Sequence, residues 1–199
     1  VQRLMASETG RKFMESGGAN PFKSIRAIRT LIAPVVRQMV DDAYAACRDS
    51  EAIICLGVQS SFGQSIADAL RIPIINIEPT PLLATRAFPA PAWPIQRNLG
   101  GLHNYLSGRA MFQVIWQWYR PFVNEFRQRL GLKPYSSASV YRALRSAPLL
   151  SAYSSALIPH PPDWPPSVHI TGYFFLDNPT DWQPSAELTA FLEAGEPPV

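Results

Sequence analysis

Cysteine and histidine are scarce in this chain of 199 residues, which has two cysteines and three histidines. Cys47 and Cys55 show neither CxxC spacing nor a neighbouring histidine, so they define neither a disulfide framework nor a zinc site. The histidines, His103, His160 and His169, lie too far apart in the sequence to make a local metal motif. We therefore expect two reduced thiols and no metal site.

Charge is also low, since charged residues make up 17% of the chain and the net charge is +3. Lysines and arginines are scattered among acidic residues without a run of five, which gives nucleic-acid binding little support. No apolar stretch reaches the roughly 18 residues that are needed to cross a bilayer, and the first residues do not form a secretory leader. These absences favour a cytosolic globular protein.

Three catalytic or phosphate-binding motifs are missing. The junction at residues 57–63 (GVQSSFG) lacks the G-x-S-x-G spacing of serine hydrolases. Neither G-x-G-x-x-G nor G-x-x-x-x-G-K-[ST] occurs, so no phosphate cradle is visible. We interpret Ser60 and Ser61 as helix caps, with contact to a ligand as the alternative.

A strand, a helix and a second strand follow one another between residues 52 and 77. The apolar run 52–58 (AIICLGV) is typical of a strand buried on both faces of a parallel sheet. Residues 62–70 favour a short helix and residues 73–77 (PIINI) a second strand. Such a βαβ unit predicts a parallel sheet with a right-handed crossover.

Further segments continue this alternation. The spacing predicts helices at 24–48, at 97–130 (interrupted by Pro121 and ended by Gly131), at 139–145 and at 184–194, and strands at 148–153 and 168–175. The predicted fold class is α/β, with a Rossmann-like parallel sheet flanked by helices.

Proline is abundant, with 20 residues that cluster at 79–94 and 159–166, each directly after an apolar strand-like run. Stiff loops beyond strand ends are natural places for a pocket. Glu78 lies at the end of the second strand, at the edge where open α/β sheets bind ligands; a solvated loop carboxylate is the alternative. The aromatic residues at 105–126, Trp116 among them, favour core packing, with an apolar ligand groove as the alternative.

Motifs in the last third of the chain carry a resemblance to a known family. They are P-x-D-W at 161–164, T-G-Y at 171–173, Trp182 and G-x-P-P-V at 195–199. Upstream, I-A-D-A-L-R-I-P at 66–73, E-P-T-P at 78–81 and V-N-E-F-R-Q-R-L-G-L at 123–132 add softer matches. In this order they resemble a stretch that glycosyltransferases acting on sterols share.

The resemblance implies a two-domain GT-B glycosyltransferase that inverts the anomeric centre without a metal or other cofactor. Residues 1–199 would be an incomplete N-terminal acceptor-binding domain, and 184–199 would lead into a second domain that binds most of the UDP-sugar donor. The catalytic base of the relatives follows their first strand, which would precede Val1, so no catalytic residue is assigned. Some relatives orient that base with an Asp in the place that Gly57 and Val58 occupy here.

The expected product is a glucosylated sterol or similar lipid. The partners would be the lipid acceptor, the nucleotide-sugar donor and, as an option, a membrane surface contacted peripherally. Two alternatives stay open: the same fold acting on a polyketide or peptide aglycone, and a non-catalytic lipid-binding module. The residues expected to bind the acceptor are Gln59, Ser60, Ser61, Phe62, Glu78, Pro79, Thr80, Phe88 and Trp116.

Overall fold

The computed structural model describes residues 21–176 and 183–195, with the side chains of 21–32 and 58 excluded. Trp182 and residues 196–199, which belong to the motifs above, lie outside the described residues. The described helices are α1 (Pro21–Ala46), α2 (Ser60–Leu70), α3 (Gly101–Arg129), α4 (Ser137–Ser146) and α5 (Ala186–Glu193). The strands are β1 (Ile53–Leu56), β2 (Ile74–Glu78), β3 (Leu149–Ser151) and β4 (Val168–Ile170).

The four strands form one sheet in the order β1-β2-β3-β4, and every neighbouring pair is parallel. Parallel neighbours need crossover connections, and α2 supplies the one between β1 and β2. The predicted α/β fold with a parallel sheet is therefore confirmed.

The edge strand β1 differs from its prediction. Ile53 is 8% exposed, whereas Ile54 and Leu56, on the opposite face, are 70% and 60% exposed. The prediction of a strand buried on both faces is wrong for the described part of the chain, because no described element covers that face of β1.

The long helix α3 also departs from its prediction, since it continues through Pro121. Proline removes a single i to i−4 hydrogen bond, and the remaining turns of this 29-residue helix hold it together. The predicted end is confirmed: the helix closes at Leu130, and Gly131 follows with a φ of 72°. β4 is shorter than predicted, because it ends at Ile170 and residues 171–176 are irregular.

The hydrophobic core lies between the sheet and the helices. Its buried members include Phe62 from α2, Trp116 and Val123 from α3, and Val140 from α4. The layers approach closely at Gly63 of α2, where a Cβ atom would lie 2.7 Å from the Cys55 sulfur. This contact brings the first turns of α2 tightly against β1.

Candidate functional site

A pocket opens where the carboxyl ends of β1 and β2 meet the helices α3 and α4. The space between its walls, including what is open to solvent, is about 800 Å³. Its walls are mostly apolar. The lining residues are Gly57, Ser60, Ser61, Asn76, Glu78, Leu82, Leu83, Met111, Phe112, Ile115, Trp116, Tyr119, Val140, Tyr141, Leu144 and Leu149.

The first turn of α2 forms one side of this pocket. A short 3-10 turn (Gly57–Gln59) precedes the helix, and its carbonyl at Gly57 accepts a hydrogen bond from Ser60 Oγ at 2.7 Å. The capping residue is Gln59, whose side chain makes no capping hydrogen bond. The interpretation of Ser60 and Ser61 as helix caps is therefore wrong; both are buried residues of the helix itself.

Two polar residues of β2 lie on the face of the sheet that lines the pocket. Asn76 pairs with Leu149, and Glu78 pairs with Ser151. Residues two apart on a strand share a face, so Asn76 and Glu78 point the same way. Asn76 is 2% exposed, and neither atom of its carboxamide has a hydrogen-bond partner.

Glu78 carries the carboxyl group that lines the pocket. Burial raises its pKa from the ordinary 4.5 to about 7, and a hydrogen bond from the backbone of Leu82 opposes the rise. Burial also raises the pKa of the neighbouring Tyr153, and the charge of Glu78 adds to that effect. A carboxyl group that exchanges its proton near neutral pH can both accept and donate a hydrogen bond to a bound hydroxyl.

The proline-rich loop after β2 supplies Leu82 and Leu83 to the pocket, and two contacts hold it against α3. Asn104 of α3 donates to the carbonyl of Arg86 at 3.0 Å. Gly108 of the same helix leaves no space for a Cβ, which would lie 2.7 Å from Cα of Ala84. These contacts fix the loop against α3.

The nine residues predicted to bind the acceptor are not all in the pocket. Ser60, Ser61, Glu78 and Trp116 line it. Gln59, Pro79 and Thr80 are exposed beside it.

The two predicted phenylalanines pack elsewhere. Phe62 meets Tyr119 edge to face at 6.3 Å in the core, and Phe88 meets Trp164 at 6.3 Å in a second cluster. Whether these residues or the exposed ones contact an acceptor stays a prediction.

Sequence reasoning missed several lining residues. Asn76 carried a usable signal, because asparagine is depleted in strands and this one interrupts the apolar run PIINI. Tyr141 and Leu144 carried none, since an amphipathic helix does not reveal which other element its apolar face will meet.

The structure shows two further absences. Among residues 21–176 and 183–195, no group of three or more His, Cys, Asp or Glu side chains could hold a metal ion. No helix in the same residues is long and apolar enough to cross a membrane.

Comparison with known proteins shows that the chain is similar in sequence to glycosyltransferases. The chain is 33% identical over 159 residues to the sterol 3-beta-glucosyltransferase of Aspergillus clavatus, a match that spans 79% of the chain and 11% of that protein. It is 30% identical over 147 residues to the UDP-sugar-dependent glycosyltransferase 52 of Dictyostelium discoideum, over 70% of the chain and 9% of that protein.

A third relative gives the same picture. The sterol 3-beta-glucosyltransferase of Leptosphaeria maculans is 32% identical over 152 residues, which cover 76% of the chain and 10% of that protein. The chain thus spans about a tenth of the length of the curated relatives it matches. No protein-family model matches it.

Proposed function

Because the chain is homologous to one segment of the sterol glucosyltransferase family, we propose that it forms the acceptor side of an enzyme that transfers glucose from a UDP-sugar to the hydroxyl of a sterol or similar lipid. The observation that carries this proposal is the apolar pocket at the carboxyl edge of the parallel sheet. Open α/β sheets bind their ligands at that edge.

The chemistry of the pocket wall suits a lipid. Phe112, Ile115, Trp116 and Leu144 offer hydrocarbon and ring surface. Each Å² of apolar surface removed from water contributes about 25 cal/mol, so a rigid hydrocarbon acceptor gains most of its affinity from such walls. A strongly hydrophilic acceptor would need more polar groups than these walls supply.

Glu78 is the proposed hydrogen-bond partner of the reacting hydroxyl. Its carboxyl lies at the edge of the pocket, where β2 ends. In its protonated form it accepts from the hydroxyl through one oxygen and donates to it through the other. This contact orients the acceptor, while the catalytic base and most of the donor site belong to other parts of the full-length protein.

We extend the proposal to the reaction course, which inverts the anomeric centre and needs no metal ion. A base removes the proton of the acceptor hydroxyl as its oxygen attacks the sugar carbon from the side opposite the departing diphosphate. Positively polarised groups near that diphosphate stabilise the charge it gains.

An exposed apolar surface beside the pocket is the proposed site of peripheral contact with a membrane. Its members are the amino-terminal part of α3 and the preceding loop, where four aliphatic side chains are 48% to 65% exposed: Ile95, Leu99, Leu102 and Leu106. The sequence has no acidic residue between Glu78 and Glu125, although that stretch contains four arginines. Exposed aliphatic groups in a stretch of sequence whose charged residues are all arginines suit the surface of an anionic bilayer.

The test is sugar transfer by the purified full-length protein. We expect radiolabelled UDP-glucose to label a sterol acceptor in preference to polyketide and peptide aglycones, with a β-linked product and full activity in EDTA. If a polyketide or peptide aglycone were labelled in preference to the sterol, the acceptor class in this proposal would change to that aglycone. Binding of sterols without any transfer would instead support a lipid-binding module.

A variant pair connects this activity to the pocket. Glu78→Ala should raise KM for the acceptor and leave KM for UDP-glucose unchanged, since Glu78 contacts only the acceptor in this proposal. Glu125→Gln on the outer side of α3 is the matched control, because its carboxylate pairs with Arg37 at 2.7 Å, far from the pocket lining. Unchanged acceptor kinetics in Glu78→Ala would remove Glu78 from the site.

A further inference from the structure

The pocket contains more polar groups than a plain sterol can use. Both carboxamide atoms of Asn76, the indole N–H of Trp116 and the hydroxyl of Tyr141 are buried without a hydrogen-bond partner, and all three residues line the pocket. Buried polar groups without partners lower the stability of a protein, so they are rare in native structures. Asn76 stands out among them, because it is 2% exposed, both atoms of its carboxamide lack a partner, and a ligand in the pocket can supply those partners.

Asn76 occupies a different depth from Glu78. The two residues lie on the same face of β2, and two residues along a strand correspond to about 6 to 7 Å. Glu78 is the last residue of the strand, whereas Asn76 is flanked within the sheet by Cys55 and Leu149. The two side chains therefore provide hydrogen-bonding groups at two levels of the pocket, one at its edge and one deeper in the sheet.

We propose that the natural acceptor is a polycyclic lipid with a second oxygen function, a hydroxyl or keto group, which Asn76 binds deeper in the pocket than the reacting hydroxyl. This inference rests on the proposed function and narrows its substrate class. A carboxamide donates to a keto oxygen and both donates to and accepts from a hydroxyl. Tyr141 and Trp116 hold further buried donors in the pocket wall.

The strand itself does not need an asparagine at this position. Asparagine is depleted in strands, and β-branched residues favour them. Replacing a buried, unpartnered polar group by an apolar one of similar size is neutral or stabilising. Asn76→Val should therefore fold with an equal or higher Tm, and it should lose the recognition of the second oxygen.

The experiment compares ligands that differ by one oxygen in the full-length protein. Dissociation constants, from quenching of tryptophan fluorescence, and kcat/KM are measured for cholesterol and for cholesterol derivatives with one extra hydroxyl or keto group at different ring positions. At least one derivative should bind about tenfold or more tightly than cholesterol, because a buried polar site rejects an analogue that lacks its partner. Asn76→Val should abolish this preference.

Leu149→Val is the matched control, because Leu149 pairs with Asn76 in the sheet and also lines the pocket. It changes size without changing polarity, so it should weaken all ligands alike and preserve the preference. A preference that persists in Asn76→Val, its absence in the wild type, or a lower Tm of Asn76→Val would overturn the inference. Preferential binding without sugar transfer would support recognition of the second oxygen and contradict only the proposed transferase function. No binding of any sterol would overturn both proposals.

Discussion

Arg127 and Asp68 form an ion pair at 2.7 Å that joins the carboxyl-terminal turns of α3 and α2. The Arg127 side chain is 7% exposed, and its guanidinium also stacks on the Tyr135 ring at 3.6 Å. Tyr135 donates to the same Asp68 oxygen at 2.7 Å. The pair therefore anchors the segment after α3 to the helix that carries Ser60 and Ser61 at its other end.

Breaking this pair should cost more stability than breaking a surface pair. Asp68→Asn leaves the Arg127 charge buried, and we expect a loss of about 2 to 3 kcal/mol, somewhat below the roughly 3 to 5 kcal/mol of a fully buried pair. Asp68 keeps 30% exposure, which is why the loss is smaller. The control is Glu125→Gln, which breaks a pair whose members are 51% and 39% exposed and should cost below about 1 kcal/mol. Equal losses in urea unfolding would contradict this ranking.

The same pair gives a pH dependence. Burial alone would raise the pKa of Asp68, but hydrogen bonds from Tyr135, Arg127 and Gln64 outweigh it and hold the pKa below its usual value. A lowered folded pKa contributes stability above the unfolded value of roughly 3.9, and the contribution is lost as the pH falls through the folded pKa. As the pH falls, Asp68→Asn should therefore lose less stability than wild type. Equal losses of unfolding free energy in the two proteins would exclude this contribution of Asp68.

Gly108 should be intolerant of alanine although it lies inside a helix. Alanine favours helices over glycine by about 1 kcal/mol, but its Cβ would lie 2.7 Å from Cα of Ala84, and overpacking costs about 1 to 3 kcal/mol. We expect a net loss of stability and a higher KM for the acceptor, because the displaced loop carries Leu82 and Leu83. In Gly195→Ala, where nothing lies within 4 Å of the new Cβ, neither should change. If Gly108→Ala were more stable than wild type, the loop after β2 would have to move away from the added methyl group at little cost.

Local sequence patterns were enough to predict the order of the helices and strands. They did not predict the contacts between distant parts of the chain. The run 52–58 correctly predicted a strand but wrongly predicted that both of its faces are buried. The exposure of Ile54 depends on which other element covers its face of the strand. Glu78 and Trp116 could be assigned to a site from strand ends and aromatic content. The positions of Val140 and Tyr141 opposite them arise from packing of α4, which no local spacing encodes.

Asp163 should stabilise the loop after β2 through two hydrogen bonds. Its carboxylate accepts from Thr85 Oγ1 at 2.5 Å and from the backbone N–H of Arg86 at 2.8 Å. Burial would raise the pKa of Asp163, but these bonds outweigh it and lower the pKa. Asp163→Ala leaves both donors unpartnered, so we expect a loss of about 1 to 3 kcal/mol.

Hydrogen exchange separates this local effect from a global one. The amides of residues 84–88 should exchange faster in Asp163→Ala, while those of β2 keep their protection relative to global stability. Asp42→Asn on α1 is the control, because Asp42 is exposed and its hydrogen bond from Gln38 lies at the surface. Uniformly faster exchange throughout the protein would contradict a role confined to the loop.

Glu78 should make stability fall as the pH rises toward neutrality. Burial raises its folded pKa from 4.5 to about 7, so the folded state retains a proton that the unfolded state releases between these values. Since the folded state binds more protons in this window, its stability decreases as the pH increases through it. Wild type and Glu78→Gln should differ little at about pH 4, and the variant should be relatively more stable at about pH 8. A difference in unfolding free energy that is independent of pH would contradict the raised pKa.

The same proton should control acceptor binding. A hydrocarbon ligand removes more water from Glu78, which disfavours its charged form, so a bound acceptor raises the pKa further. By linkage, the protonated enzyme then binds the acceptor more tightly, and KM for the acceptor should rise as the pH passes about 7. Glu78→Gln, which cannot ionise, should show a flat profile with a KM close to the wild-type value at low pH. The opposite result would be a wild-type KM that falls above neutral pH, with Glu78→Gln showing the weak acceptor binding of wild type at low pH. The ionised carboxylate would then be the form that receives the hydroxyl.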